Sequence, residues 1–372
     1  MTRLIEITGK ALSGEWGTDD TNGNGIPVLR TTNFTNEGIV DYEVVVTRCI
    51  EKKNIAEKYL RKGDIIIEKS GGSDKQPVGR VVYFDGAENT YLFNNFTGVL
   101  RVKDQEKWFP KYIFYSLYRN YKKGGTRIYE NKTTGLHNLK VDDYISRYEI
   151  VKVSYQVQQD ICVVLDKIQR ILKKRERQIK QLDILIKSRF VEMFGDPIGN
   201  SMGLRTIPLG AACYLKAGIT TSADAIHEYS TDCSIPCYGG NGIRGYVKEA
   251  TQCGCYPIIG RQGALCGNIQ LAMGEFHATE HAVLVTPLIE INVVWLFHLL
   301  KLMDLYRFHT GAAQPGLAVK TLNTVDIPIA DIVEQDRFAT FVRSIDKLKA
   351  TIQKSIDEAQ TLFDSLMQEY FG

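Results

Sequence analysis

The chain has 372 residues, of which 44% are hydrophobic and 24% are charged, a composition typical of globular proteins. This length predicts two or three domains, each able to bury a core. The 46 Lys and Arg residues nearly balance the 43 Asp and Glu residues, and the net charge of +3 excludes a protein held on polyanions by bulk charge alone. A specific nucleic-acid binder with local basic patches is compatible with these values.

No apolar run approaches the roughly 20 residues of a membrane-spanning helix. The longest apolar stretch, residues 291–302, is interrupted by Asn292, His298 and Lys301. The N-terminus lacks an apolar segment followed by a small-residue cleavage site. We therefore expect a cytoplasmic protein whose eight cysteines are mostly reduced.

The pattern of apolar, turn and helix-stop residues predicts two strand-rich domains, each followed by a long helix. In chain order, the predictions are a first domain over 1–154 with an amphipathic helix at 108–121, a long helix over 155–197, a second domain over 198–331 with an amphipathic helix at 292–306, and a second long helix over 332–372. This organisation is typical of an α/β (α+β) protein.

Both long segments carry apolar residues in steps of three and four, which is typical of a coiled-coil seam. The positions are Ile161, Leu165, Ile168, Leu172, Ile179, Leu182, Ile186 and Met193 in the first segment, and Phe338, Phe341, Ile345, Leu348, Ile352, Ala359, Leu362, Leu366 and Tyr370 in the second. Neither segment contains an internal Pro or Gly, and each ends at a Phe-Gly pair, a common stop signal.

The two long segments also match each other beyond their shared period. At an offset of 177 residues, Ser188, Glu192 and Phe194 are repeated as Ser365, Glu369 and Phe371, and Gln159-Asp160 recurs as Gln335-Asp336 near the helix starts. In the domains, residues 63–71 resemble 255–263, residues 78–81 parallel 266–269, and residues 134–140 precede the first helix as 315–320 precede the second. The sequence therefore predicts a duplicated module.

A long apolar stripe needs a partner, and the nearest candidate is the duplicate helix. A helix of about 38 residues is about 57 Å long at 1.5 Å per residue. Antiparallel packing would place the two domains at opposite ends, related by a pseudo-twofold axis. Because DNA advances about 34 Å per turn, such domains could reach two half-sites about one turn or slightly more apart. A coiled-coil scaffold protein is the alternative.

Motifs of the second domain carry a family resemblance. They are residues 235–246, 259–263, 267–268, 276–282, 316–317, 327–329 and 334–335, with looser counterparts in the first half at 63–66, 70–73, 78–80, 135–136 and 188–196. With these motifs in duplicated order, nearly the whole chain resembles the specificity (S) subunit of type I restriction–modification systems. The first half departs further, since residues 151–154 stand where the family usually has a Pro-rich entry.

The resemblance implies two target recognition domains, each reading one half of a bipartite double-stranded DNA target, separated by two long antiparallel coiled-coil helices. The helices would set the spacer and dock two methyltransferase subunits, and restriction or translocase subunits could join the complex. It also implies that S-adenosylmethionine binds to those partners. This chain would then carry no catalysis, cofactor or metal of its own.

DNA readout needs hydrogen-bonding side chains in the major groove and contacts to phosphates beside it. Arg and Lys in Gly-rich turns suit both tasks, because Gly lets the backbone approach and Arg forms a bidentate contact to guanine. The candidates are Arg30, Thr31, Asn33, Lys69, Ser70, Lys75 and Arg80 in the first domain and Tyr238, Asn241, Arg244, Arg261, Gln262 and Asn268 in the second. For each loop the alternative is a solvated hairpin. The basic strip at 173–177 could touch phosphates, bind a partner or form a solvated helix face.

Other chemistries have weak support in the sequence. The four cysteines at positions 233, 237, 253 and 255 are spaced poorly for zinc. We interpret them as small buried hydrophobic residues. His277 and His281 lack the order of a zinc-enzyme motif, and we interpret them as structural or base-reading residues. No phosphate-loop, dinucleotide-binding or adenine-methyltransferase motif occurs. A nuclease-like spacing of Asp41, Glu51 and Lys53 is expected by chance, so a stand-alone DNA-modifying enzyme is only an alternative.

Overall fold

The computed structural model describes residues 1–52, 55–133, 136–263, 265–311 and 315–372. The chain divides into two compact units, Met1–Lys174 with Ile356–Gly372, and Arg175–Ser355. Each unit therefore contains one globular half and part of each long helix. Lys53 of the nuclease-like spacing and residues 134–135 of the motif before the first long helix lie outside the described residues.

The first globular half consists mainly of short strands. Its strands are β1 (Thr2–Arg3), β2 (Leu12–Ser13), β3 (Thr18–Asp19), β4 (Ile26–Leu29), β5 (Val46–Cys49), β6 (Ile65–Glu68), β7 (Ser70–Gly72), β8 (Val81–Tyr83), β9 (Leu92–Phe93), β10 (Thr97–Leu100), β11 (Glu130–Thr133), β12 (Leu136–Leu139) and β13 (Glu149–Ile150). Its helices are α1 (Leu4–Thr8), α2 (Pro110–Lys122) and α3 (Val141–Arg147), and the long helix α4 (Tyr155–Phe194) follows.

The central sheet of this half is antiparallel, with the strand order β2-β10-β6-β8. Because successive side chains of a strand point to opposite faces, Ile65 and Ile67 of β6 enter one core and Ile66 enters another. The first core contains helix α2, and the second contains Phe93 of β9. The apolar run in β6 is therefore buried on both faces. The other sheets have the orders β3-β5-β4-β9, β11-β12-β7 and β1-β13.

The second globular half has longer strands in one larger sheet. Its strands are β14 (Thr206–Pro208), β15 (Cys213–Ala217), β16 (Ile235–Gly239), β17 (Gly242–Val247), β18 (Gln252–Gly260), β19 (Ile269–Ala278), β20 (Ala282–Pro287) and β21 (Asp326–Pro328). Its helices are α5 (Leu209–Ala212), α6 (Val293–Leu302) and α7 (Val319–Asn323), and the long helix α8 (Ile332–Phe371) follows. The six-stranded sheet has the order β15-β20-β18-β19-β16-β17, and only β16 and β19 pair in parallel within it.

The two halves share one topology. The order β2-β10-β6-β8 corresponds to β15-β20-β18-β19, and the first strand of each half pairs with its last strand, as β1-β13 and β14-β21. In each half a hairpin, β4-β5 or β16-β17, also places its first strand parallel to a later strand. This agreement confirms the predicted duplication and the α/β (α+β) fold class.

Each long helix contributes one end to the first unit and the other end to the second unit. In the first unit, Ile161 and Leu165 at the start of α4 share a core with Phe363 and Met367 at the end of α8. In the second unit the core contains the start of α8 and the end of α4. The residues there, Phe338, Val342, Ile186 and Phe190, lie 177 residues from Ile161, Leu165, Phe363 and Met367, respectively. The two helices are thus antiparallel within each unit, as the sequence predicts, and their buried positions follow the duplication.

A buried glutamine anchors each long helix to its globular half. Gln158 Oε1 accepts a hydrogen bond from the Phe109 N–H at 2.8 Å, at the start of α2, and Gln335 Oε1 accepts one from the Asn292 N–H at 2.9 Å, at the start of α6. Each glutamine Nε2 also donates to the carbonyl oxygen five residues before it. The equivalent of Gln335 is therefore Gln158, and the sequence match with Gln159 is wrong by one residue.

Helix α6 ends earlier than the predicted limit of residue 306. Its last residue is Leu302, and Asp304 adopts a left-handed conformation with φ of 46°, which interrupts the helix before the short turn at Leu305–Phe308. Its start is capped by Asn292, whose side chain accepts from the N–H groups of Val294 and Trp295. No helix in the described part of the chain has both the length and the apolar character needed to cross a membrane.

Candidate nucleic-acid interface

Three turns of the second globular half lie in contact: those that join β16 to β17, β18 to β19, and β19 to β20. The Arg261 N–H donates to the carbonyl oxygen of His281 at 3.0 Å, which joins the second turn to the third. Asn268 Nδ2 donates to Asn241 Oδ1 at 2.7 Å, which joins the second turn to the first. Candidates from separate sequence segments are therefore brought together. We call this cluster of turns, residues 239–242, 260–263, 265–268 and 279–282, the turn junction.

Glycine makes this close approach of backbones feasible. A Cβ atom at Gly260 would lie only 2.0 Å from the carbonyl oxygen of Gly240, a distance that no side chain tolerates. Gly242 has a φ of 101°, which L side chains rarely adopt. The Gly-rich motif is thus a requirement of the junction's packing.

The candidate side chains at the junction differ in exposure. Asn241, Arg244 and Gln262 are exposed, whereas Arg261 and Asn268 are half-buried. Tyr238 packs the edge of its ring against Phe276, with ring centroids 5.6 Å apart, and burial raises the pKa of its hydroxyl. Tyr238 therefore contributes mainly to packing, while the exposed amides and guanidinium can reach a ligand.

An acidic side chain that was not among the sequence candidates lies in the third turn. Glu280 Oε2 accepts from the Thr221 N–H at 3.2 Å, and Oε1 lies 3.1 Å from His281 Nε2. Burial raises the pKa of Glu280, but hydrogen bonds from backbone N–H groups and the charges of His281 and Arg244 more than offset this, so that its pKa is lowered. His277 is buried and pairs with the Thr221 hydroxyl at 2.8 Å.

A groove of about 460 Å³ lies next to Arg244. It is lined by Ile226, His227, Glu228, Tyr229, Ile243, Arg244, Gly245 and Tyr246. His227 and Tyr246 fix its walls through two backbone hydrogen bonds of 2.9 Å. Sequence reasoning missed Tyr229 and Tyr246, although two tyrosines on either side of the Gly-rich motif could have indicated them.

In the first half, two candidates serve the structure of one loop. Arg80 donates to the carbonyl oxygens of Phe34 and Thr31 at 3.0 and 2.9 Å, and its Nη2 lies 3.5 Å from the buried carboxylate of Glu68. Asn33 is buried, and its amide makes three hydrogen bonds to the backbone of the same loop. The side chains of Arg80 and Asn33 are thus committed to organising the segment that follows β4.

Lys69 occupies the same place in its half as Arg261 does in the other. The Lys69 N–H donates to the carbonyl oxygen of Phe96 at 2.8 Å, and the Lys69 carbonyl oxygen accepts from the Leu139 N–H at 2.8 Å. In the same way, the Arg261 N–H donates to the carbonyl oxygen of His281, and the Arg261 carbonyl oxygen accepts from the Leu317 N–H at 2.8 Å. This confirms the match of residues 63–71 with 255–263. The same hydrogen bonds correct the match of residues 134–140 with 315–320, because they make Leu317 equivalent to Leu139 instead of Leu136.

The other first-half candidates lie at varied depths. Lys75 is exposed, whereas Arg30, Thr31 and Ser70 are half-buried. The Ser70 hydroxyl donates to Asn138 Oδ1 on the neighbouring strand β12. Of these four, Lys75 has the most freedom to reach a phosphate.

The cysteines of the second half are packed in different places. Cys213, Cys233, Cys237 and Cys266 are buried, and Cys253 is exposed. Burial raises the pKa of the Cys213 thiol to about 12, which is typical of a small apolar residue rather than of a thiolate ligand. Among the described residues, no group of three or more His, Cys, Asp or Glu side chains is placed to hold a metal ion.

The fold and the two sets of turns define a duplicated protein with two strand-rich domains and two long helices. The chain belongs to the family of the type I restriction modification DNA specificity domain, whose model matches it twice, at residues 4–181 and 214–360.

The chain is similar to curated specificity subunits over part of its length. It is 45% identical over 145 residues to the type I restriction enzyme EcoprrI specificity subunit of Escherichia coli, which covers 39% of this chain and 36% of that protein. It is 31% identical over 120 residues, 32% of this chain and 30% of the relative, to the putative type I restriction enzyme specificity subunit S.HindORF215P of Haemophilus influenzae (strain ATCC 51907 / DSM 11121 / KW20 / Rd). The matches thus span about a third of these relatives.

Two solved structures share the fold over the whole chain. The type I restriction-modification system S subunit from M. genitalium has a TM-score of 0.60 at 16% identity, covering 100% of this chain and 95% of that one. A chain from a study of complex assembly and conformational transition of the type I R-M system has a TM-score of 0.56 at 14% identity, covering 100% and 96%.

Proposed function

We propose that this chain is the sequence-specific DNA-recognition subunit of a type I restriction–modification complex, each globular half reading one half of a bipartite target. The observation that carries this proposal is the equivalence of Lys69 and Arg261. A basic residue is held at the same point of the same topology in both halves, by the same pair of backbone hydrogen bonds. Such duplicated basic turns suit two half-sites on one duplex.

In this proposal the turns make the DNA contacts. Arg244 and Gln262 are exposed donors that suit base edges in the major groove, and Asn241 can donate and accept there. Lys69 and Lys75 suit the first half-site. Arg80 and Asn33 act indirectly, by fixing the loop that follows β4.

The long helices set the spacer and dock two methyltransferase subunits. Exposed apolar side chains occur on them at positions related by the 177-residue offset: Ile171 with Leu348, and Leu185 with Leu362. Exposed apolar residues that recur at equivalent positions suit two copies of one partner. S-adenosylmethionine binds to those partners, restriction or translocase subunits join them, and this chain is non-catalytic and acts in the cytoplasm.

Mapping of modified bases tests the function. The chain is co-expressed with the methyltransferase subunit of its own system, and the host DNA is sequenced for methylated adenine. We expect one bipartite motif, and replacement of residues 203–330 by the same region of a related subunit should change one half of it. A complex that methylates no bipartite site, or a replacement that leaves both halves unchanged, contradicts the proposal. The purified chain alone should neither cut nor methylate DNA with magnesium or S-adenosylmethionine.

A further inference from the structure

The turn between β9 and β10 in the first half is equivalent to the turn between β19 and β20 in the second. The Asn94 N–H donates to Leu29 at 3.0 Å, and the Thr279 N–H donates to Tyr238 at 2.9 Å, each across the parallel pair of strands. Each turn is then closed by a backbone hydrogen bond between residues three apart. The Thr97 N–H donates to the carbonyl oxygen of Asn94 at 3.1 Å, and the Ala282 N–H donates to that of Thr279 at 3.0 Å. Residues 95–96 therefore occupy the positions of residues 280–281.

Each of these turns lies against the equivalent basic residue of its own half, Lys69 or Arg261. The carbonyl of Phe96 accepts from the Lys69 N–H, and the carbonyl of His281 accepts from the Arg261 N–H. Asn95 and Phe96 are exposed, and Glu280 and His281 are partly exposed. If Lys69 and Arg261 lie at the DNA surface, as the proposed function requires, the neighbouring turns lie at that surface too.

Glu280 is unusual in this setting because a carboxylate repels the phosphates that a basic surface attracts. Its position is nevertheless fixed, by the Thr221 N–H on one oxygen and by His281 Nε2 near the other. Each carboxylate oxygen has a further lone pair to offer a donor. Among DNA groups, such a carboxylate suits an exocyclic amino group, foremost that of cytosine in the major groove.

We propose that the paired turns at residues 95–96 and 280–281 read bases, with Glu280 selecting cytosine in one half-site and Asn95 selecting adenine in the other. Asn pairs with adenine through one donor and one acceptor, whereas Glu only accepts. The inference rests on the proposed function and adds to it the residues that set one base in each half-site.

The test uses the full chain in its complex with the methyltransferase subunit. Glu280→Gln keeps an acceptor for the Thr221 N–H but loses the charge, and Glu275→Gln, an exposed position on β19, is the matched control. We expect Glu280→Gln to reduce the preference for cytosine at one position of one half-site by at least about tenfold. The other half-site, read by the same molecule, should stay unchanged, as should the motif of the control.

A second substitution tests the other half. Asn95→Asp should move the preference at one position of the other half-site from adenine towards cytosine.

The outcomes separate this inference from the proposed function. A wild-type complex without a bipartite motif overturns both. A bipartite motif that Glu280→Gln and Asn95→Asp leave unchanged, in variants with normal thermal unfolding, overturns only the base-reading role. A lowered unfolding temperature with an unchanged motif assigns Glu280 a structural role and overturns the inference as well.

Discussion

Arg80 shows why residue type alone does not identify a DNA contact. Its guanidinium is bonded to two loop carbonyls and lies beside the buried carboxylate of Glu68. Burial raises the pKa of Glu68, and the charge of Arg80 opposes this rise. A basic residue in a Gly-rich segment can therefore serve the fold, while Lys69, eleven residues earlier, occupies the equivalent of the Arg261 position.

Removal of the Arg80 guanidinium should destabilise the first unit. We expect Arg80→Ala to lower its free energy of unfolding by about 2 to 4 kcal/mol, because Glu68 and two carbonyls lose their partner. Urea unfolding measures this, and Lys75→Ala, at an exposed position, should change stability by no more than about 0.5 kcal/mol. Adding Glu68→Gln to Arg80→Ala should restore part of the loss. Equal stability of Arg80→Ala and wild type would disprove the structural role.

The candidate site could be predicted only in part from the sequence. The Gly-rich motifs marked the turns, because close backbone approach demands glycine, as at Gly260. Burial and partners were not visible, so Asn33 and Arg80 could not be told from Arg244. Glu280 was missed because its equivalence to Asn95 rests on backbone hydrogen bonds, which the sequence does not show. The strand before Asn95, Leu92–Phe93, is also too short to display an alternation of apolar and polar residues.

At the scale of elements, the long helices were the most predictable feature. Their apolar stripe recurs because each helix must bury one face, so the period appears in the sequence itself. The prediction is wrong at Leu348 and Leu362, which belong to the predicted stripe but are exposed. The anchors Gln158 and Gln335 were less visible, since one buried polar residue leaves no pattern. Their hydrogen bonds connect each long helix to the start of a domain helix, which fixes the domain on its helix.

Helix α6 contains a half-buried histidine, His298, that should make the second unit sensitive to acid. Burial lowers the pKa of His298 to about 4, aided by the charges of Lys301 and Lys349 and opposed by Asp183. The ring also packs against Phe338 with centroids 5.4 Å apart. In the unfolded chain its pKa returns to about 6.5, so unfolding takes up a proton below that pH.

Stability from His298 is therefore present above pH 6.5 and is lost as the pH falls towards 4. By pH 5 the loss should be about 2 kcal/mol. Urea unfolding of wild type and His298→Gln at pH 7 and pH 5 measures this loss of unfolding free energy. The difference between the two proteins removes the contribution of the carboxylates, which both proteins share. A pH 7 to pH 5 decrease of the same size in both proteins would exclude this role for His298.

At the scale of the whole molecule, duplication gives one polypeptide two units of the same architecture. Each unit combines its own globular half with the start of one long helix and the end of the other. A partner that recognises a unit should therefore find two equivalent sites on one chain, which is the basis of the proposed docking of two methyltransferase subunits.

The equivalent leucines Leu185 and Leu362 allow this stoichiometry to be tested. Both are exposed, at 46% and 51%, on the long helices. If each contacts a methyltransferase subunit, Leu185→Glu should remove one bound copy and the double variant with Leu362→Glu should remove both, because a charge enters an apolar contact. Co-purified complexes are measured by native mass spectrometry. The control is Lys187→Ala with Asp364→Ala, at exposed equivalent positions on another face of each helix, and it should retain two copies. Loss of both copies from Leu185→Glu alone, or of none from the double variant, would contradict two independent and equivalent docking sites.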